Sequence, residues 1–390
     1  MTEAVKTIQI HAVPPGQRIT LGAPSLAALP NGKLLAAFDQ SGPDVKGLSG
    51  KKGHDAKRNR WMQGLVYRSA DGGETWQRVA SYPFRRASLF RDGGDLYLLG
   101  EASGGLCLMR SPDGGASWSA PMDLTGDVSA ETAPTAVAAC GGHWVMPVLA
   151  PAGGERGLQI WHAPQGASLM NRKAWSAGPV SPPLAALLPE GAGACGVPWP
   201  GTAPAWRNPL ILADAPPGFP WTEAGGWPLL ASAISGREHW AVWLAVSADD
   251  FSVRTVEAGP GRPWLWIPLP GGHARFDLFR DEPSGLYWLA GAMGAPGLAA
   301  GRGAGRLEQS RALGAWVSEN LVDWQWAGSL LAGGEGPEGV RCDPAAAVTG
   351  GDWVVACRAG GEGSRRARET TRILCIRRGD FRTRRAGFSS

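Results

Sequence analysis

VYRSADGGETWQRV, residues 66–79, decides the fold because it comes back. LMRSPDGGASWSAP follows at 108–121 with the same order: an apolar pair, Arg, Ser, one variable residue, Asp, Gly, Gly, two further residues and Trp. Ser69 and Ser111 stand 42 residues apart (111 minus 69), inside the ~40–50 residues that one four-stranded propeller blade occupies. Each copy reads as a strand, a tight turn and a second strand that starts at the aromatic residue. In such a turn Asp71 can accept hydrogen bonds from nearby backbone N–H groups, Gly72 and Gly73 permit positive φ, and Trp76 is placed to pack between sheets.

Weaker copies keep the order of features. WLAVSADDFSVRTV has its turn at Ser247, AWVSENLVDWQWAG at Ser318, and IWHAPQGASLMNRKAW around Ala163 retains the apolar start and Trp175. A second unit, two apolar strands about a Gly-rich turn, recurs from Ser25, Ser88, Thr135, Pro228, Phe276 and Pro344. Between the third and fourth of these lie 93 residues (228 minus 135), nearly two blade periods. The spacing therefore favours seven blades over six, with the Pro- and Trp-rich region 182–225 as a divergent blade or an insertion. The N-terminal KTIQIHAV is expected beside TRILCIRR, closing the ring and removing exposed sheet edges. The chain reads as one domain over 1–390, with blade repeats from about 18 to 385.

Composition agrees with an all-β chain. Among 390 residues, 57 Gly and 32 Pro with 18% charged residues point to many turns between short strands, and 44% hydrophobic residues can fill a large core. The net charge of +4 gathers partly in the C-terminal RRARETTRILCIRRGDFRTRR, too local for a nucleic-acid footprint. No apolar run approaches the ~18 residues of a membrane span and the N-terminus lacks a secretory pattern. The chain is therefore expected to be soluble and cytoplasmic as given, or secreted or periplasmic if a leader was removed. Six scattered cysteines without a CxxC read as buried reduced thiols. Isolated histidines and the absence of an Asp/Asn-rich calcium loop predict no metal and no cofactor. Oligomeric state is not legible.

The S-x-D-G-G-x-x-W pattern resembles the Asp-box, or BNR repeat, of the sialidase-like β-propellers. The resemblance implies an all-β propeller of six or seven blades, with the boxes on the rim away from the ligand, so Asp71 and Asp113 are expected to be structural. It also implies a ligand site over the axis at the opposite face, at the starts of the innermost strands. Those starts read Gly22-Ala23-Pro24, Arg85-Arg86, Glu131-Thr132, Trp227, His273-Ala274-Arg275 and Arg341-Cys342-Asp343.

Sialidases clamp a sugar carboxylate with three arginines and use a Tyr nucleophile paired with Glu and an Asp acid/base. Here the first clamp position reads Gly22-Ala23-Pro24, Arg18 is four residues early, and the four tyrosines read as core or linker residues. Asp55, in the polar loop SGKKGHDAKRNRW, falls where the family carries its acid/base, and His54 beside it could itself act as acid or base. The texture is closer to bacterial sialidase-annotated propellers that include α-L-rhamnosidases and lyases acting beside a uronic acid. Phe38, Ala345 and Thr370 occupy positions where those enzymes imply polar or His residues.

Arg86, Arg275 and Arg341 with His273 would suit an anionic sugar. Glu131, Asp343 or Glu369 could move a proton, and Trp227, with Trp199, Trp206 and Trp221, could stack on sugar rings. The expected function is a glycoside hydrolase-like enzyme for an acidic glycan. The alternatives are a lyase on a uronate-containing glycan and a non-catalytic glycan- or protein-binding propeller.

Overall fold

The structure, a computed structural model, describes residues 6–383 apart from 23, 57, 127–128, 133–136, 188–204, 215, 217–225, 235–238, 260–261, 265, 294–309, 335, 363, 365–368 and 380. The described residues form six antiparallel sheets, each a blade built on a four-stranded up-and-down pattern, arranged as a β-propeller. The innermost strands of blades 1 to 6 are Ser25–Ala28, Arg85–Asp92, Ala138–Cys140, Ala205–Ile211, Asp277–Asp281 and Arg341–Thr349.

Six is the smaller of the two expected counts, and the 93-residue gap has a simple cause. The hairpin expected from Pro228 is made of the second and third strands of blade 4, Gly226–Ile234 and Trp240–Ser247. Its innermost strand, Ala205–Ile211, comes from inside the 182–225 region and pairs with Gly226–Ile234. That region is thus neither an extra blade nor an insertion over its described part. Trp199 and Trp221 lie outside the described residues.

Second and third strands are sandwiched between blades, so their apolar runs are unbroken rather than alternating. Every residue of Leu34–Ser41 is buried, for example. Hydrophobic clusters sit at the junctions between neighbouring blades, from the 1–2 junction around Leu35, Phe84 and Leu98 to the 5–6 junction around Trp288, Trp353 and Phe381. In the latter, the Trp288 and Trp353 rings meet at 5.7 Å and 67°, the edge-to-face geometry aromatic pairs prefer. Cys140, Cys342, Cys357 and Cys375 are buried and Cys107 is half-buried; Cys195 lies outside the described residues. No helix among the described residues is long and apolar enough to cross a membrane.

The two strong turns share one bonding scheme. Asp71 Oδ1 accepts from Thr75 N at 2.9 Å and Ser69 Oγ at 2.7 Å, Ser69 Oγ accepts from Gly73 N at 2.8 Å, and Trp76 Nε1 donates to Gly73 O at 3.0 Å. Asp113, Ser111, Gly115, Ser117 and Trp118 repeat it. The hydroxyl and N–H of Ser117 and the Ser111 hydroxyl bring the Asp113 carboxyl down to about 2. Replacing Asp71 by Ala is expected to cost about 1–2 kcal/mol of stability through the lost turn bonds. Thermal melting of the variant beside wild type checks this.

Ring closure follows the expected pairing, Lys6–Ala12 running antiparallel to Arg372–Arg378 as the outer strand of blade 6. His11 on that closing strand sits 2.9 Å from Tyr67 Oη, with the Phe38 ring 5.6 Å away. Burial, with a smaller contribution from Arg78, lowers its pKa from 6.5 to about 4. The unfolded chain therefore binds a proton at His11 that the fold refuses between those values, so stability falls as pH drops from about 6.5 toward 4. The loss attributable to this group is about 2 kcal/mol after allowance for its partial exposure. Unfolding of wild type and His11→Gln at pH 7 and pH 4.5 should show the smaller acid loss in the variant.

Candidate functional site

Chain direction alternates from strand to strand, so the starts of the innermost strands and the ends of the second strands share one face. The turns at Ser69 and Ser111 lie on the other. At the first face the innermost ladder is repeatedly broken. In blade 1 it is interrupted between Thr20–Leu21 and Ser25–Ala28. In blades 2, 4 and 6 register shifts fall between Arg85 and Ser88, Arg207 and Pro209, and Cys342 and Ala345. Each shift contains one non-glycine residue at positive φ, namely Arg86 at 54°, Asn208 at 40° and Asp343 at 52°. Bulges of this kind re-aim a side chain, and here they do so around the axis.

The largest charged assembly spans blades 1 to 3. Glu131 Oε1 takes Arg156 Nη2 at 3.0 Å and Arg58 Nη2 at 3.4 Å, while its Oε2 lies 3.7 Å from Arg86 Nη1. Arg58 also reaches Asp55 Oδ2 at 3.5 Å, and its backbone N–H donates to Asp55 Oδ1 at 3.2 Å. Beneath these, Glu101 is fully buried and binds both Arg85, at 2.6 Å, and Arg86, at 3.3 Å. Asp39 Oδ1 accepts the Arg86 backbone N–H at 2.8 Å. Burial alone would raise the pKa of Glu131, but Arg156, Arg86, Arg58 and Arg85 outweigh it and hold the carboxyl below its ordinary value. Arg156 commits only part of its fork: Nη1 is buried without a partner among the described residues.

A second, deeper assembly lies over the axis between blades 5, 6 and 1. Asp343 is paired with Arg358, which also donates to Leu21 O at 3.0 Å and Thr370 Oγ1 at 3.2 Å. Burial opposes the Arg358 charge, yet Asp343 beside it leaves the pKa raised. Arg275, 4% exposed, donates to Pro24 O at 2.7 Å and so ties blade 5 to the start of blade 1. Its pKa is lowered by burial, against the pull of Asp343 and Asp277.

Of the residues expected from the sequence, the structure thus brings Asp55, Glu131 and Arg86 together, and places Arg275 and Asp343 in the buried assembly. The others go elsewhere. Arg341 donates to the carbonyls of Glu338 and Val340 at 2.9 and 2.8 Å, capping the turn at Pro337–Gly339. His273 is buried with its ring 5.8 Å from His239. His54 turns to Asn59 Oδ1, at 3.1 Å, with its ring against Trp61. Trp227 is corrected outright: it begins a second strand, at the face of the turns, where it packs on Gly141 and Phe251. Its misplacement follows from taking the Pro228 hairpin for the inner one.

Phe38 and Ala345 are core residues, and Thr370 is a buried partner of Arg358 and of Leu21 O. The tyrosines are also engaged in the body of the fold: Tyr67 with His11, Tyr82 Oη with Phe38 O at 3.2 Å, Tyr97 against Phe90, and Tyr287 Oη with Asp214 O at 3.3 Å. Gly22 has its own reason. A Cβ there would meet the Asp39 carboxylate at 2.5 Å, so the position where the resemblance expects a clamp arginine is filled by a carboxylate instead.

Missed from the sequence were Arg58, Arg156, Asp39, Glu101 and Arg358, while Arg85 was placed at a strand start without a role. A signal was available for three of them: LLAAFD, LYLLGE and WVVACR each place one charged residue at the end of an apolar second strand. Among the described residues no group of three His, Cys, Asp or Glu side chains is placed to hold a metal ion.

Fold and site together define a six-bladed propeller with an arginine-rich axial face. No protein-family model and no curated protein matches the sequence. Solved structures do match the fold. A protein of unknown function from Dyadobacter fermentans is similar at 13% identity and a TM-score of 0.59, over 96% of this chain and 99% of that one. Trypanosoma rangeli sialidase bound to sialic acid is similar at 12% identity and TM-score 0.57, over 97% of this chain but only 59% of the sialidase. A Hadza microbial sialidase follows at 13% identity and TM-score 0.56, over 96% and 68%. At such identities the likeness is one of fold.

Proposed function

We propose that the axial face binds an acidic glycan and that the protein acts on it as a glycoside hydrolase. The observation that carries this reading is the convergence of Arg58, Arg86 and Arg156 on one carboxylate within 3.0–3.7 Å. A guanidinium fork matches a sugar carboxylate in shape and charge. With Arg60, whose charge is felt by Arg85, Asp39, Arg86 and Arg58, five arginines (58, 60, 85, 86, 156) against four carboxylates (39, 55, 101, 131) leave one surplus positive charge at the face. Asp55, 5% exposed beneath Arg58, is the proposed acid/base.

Tyr-based retaining chemistry is disfavoured, because each tyrosine is spent elsewhere in the fold. The lyase alternative needs a His or Tyr beside the bound carboxylate; the tyrosines are engaged elsewhere in the fold, and His54, next to Asp55, is turned to Asn59 and Trp61. A non-catalytic glycan-binding propeller is the second reading, favoured by the carboxylate that stands where Gly22 would otherwise carry a clamp.

Incubation with sialosides, glucuronides and galacturonides, each beside its neutral counterpart, tests the proposal. Turnover confined to the acidic substrates and lost in Asp55→Ala supports it. Saturable binding without turnover leaves the second reading, and neither binding nor turnover rejects both.

A further inference from the structure

Resting on the reading of the axial face as an acidic-glycan site, we propose that Glu131 is a built-in competitor: its carboxylate occupies the arginines that a ligand carboxylate takes, and the ligand enters by exchange. The Glu131 backbone is pinned, exchanging N–H and C=O bonds with Leu149 at 2.8 Å each. Its side chain, with three rotatable bonds, can withdraw without moving the strand. Its hold on the arginines is also loose. Only the contact to Arg156 Nη2, at 3.0 Å, has ordinary hydrogen-bond length, and those to Arg58 and Arg86 are 3.4 and 3.7 Å.

Arg156 gives Glu131 one nitrogen while Nη1 stays buried without a partner among the described residues. A buried orphan donor is rare and costly. A free carboxylate, not tethered to Leu149, can approach Arg156 through both nitrogens and satisfy it. The charges facing Glu131 are Arg58 and Asp55 from blade 1, Arg85, Arg86 and Glu101 from blade 2, and Arg156 from blade 3. Withdrawal of Glu131 leaves that set with a cationic excess, which the ligand carboxylate neutralises.

The test is titration of wild type, Glu131→Gln, Glu131→Ala and Arg156→Ala with sodium glucuronate and with N-acetylneuraminate, by calorimetry or ligand-observed NMR. Wild type should bind weakly, both Glu131 variants about 10-fold or more tightly, and Arg156→Ala less than wild type. The Glu131 variants should melt lower than wild type without ligand and gain more from it. Equal or weaker binding by folded Glu131 variants, with wild type still binding through Arg156, overturns the competitor role and leaves the site reading intact. If neither wild type nor any folded variant binds either acid, both fall.

Discussion

Replacing Arg358 by Leu is expected to destabilise the protein by about 3–5 kcal/mol, because breaking a buried ion pair leaves its partner's charge in a low-dielectric site. Asp343 is 3% exposed and cannot move to water without opening the inner strand of blade 6. The same guanidinium donates to Leu21 O and Thr370 Oγ1, so truncation also removes one of the two donors to Leu21 O, leaving it Thr370 Oγ1. The charge of Arg275, felt at Asp343 across the axis, offsets part of the cost. A paired substitution, Arg358→Met with Asp343→Asn, removes both charges and should recover most of the loss. Denaturant unfolding of the single and double variants measures both. A single variant within about 0.5 kcal/mol of wild type, the scatter of ordinary surface changes, would show that this pair does not hold the axis together.

The second large effect is on binding. Arg156→Ala should weaken an acidic oligosaccharide by roughly 10–100-fold, the loss of one charge-assisted contact, with little change in stability. Arg156 is the cleanest of the three arginines to remove. Arg86 additionally donates to Glu101 and to Thr132 O, and Arg58 organises the Asp55 loop through its backbone, so their variants mix binding with folding. Arg156→Lys should recover only part of the affinity, since an ammonium supplies charge but no fork. Binding of the matching neutral oligosaccharide should not respond to either change.

Architecture was legible in the sequence because it is written locally. A turn needs Ser, Asp and two glycines within five residues, and a buried strand needs a short apolar run; both repeat, so their spacing gives the blade. The missing piece was the innermost strand of blade 4, AWRNPLI at Ala205–Ile211, where Pro209 and the polar Trp-Arg-Asn step hide the apolar run. The site was less legible because it is made by convergence. Asp55 and Glu131 were found from loop and strand position, but they meet only through Arg58, which lies 73 residues from Glu131. Arg156 stands just after the turn of a hairpin, LAPAGGERG, paired with Pro151, with nothing in its sequence neighbourhood to separate it from a solvated charge. Arg341, at a strand start, and His273, in the turn before the inner strand of blade 5, had the expected places along the chain, and the direction of their side chains was set by carbonyls and packing partners that no one-dimensional pattern carries.

Calorimetric titration of the wild-type protein with an acidic oligosaccharide, and with the same oligosaccharide after reduction of its carboxyl group to an alcohol, tests the central claim most directly. The arginine-lined axial face predicts saturable binding of the acid that disappears on reduction and weakens with salt. Equal affinity for the two forms, or none for the acid, would contradict it.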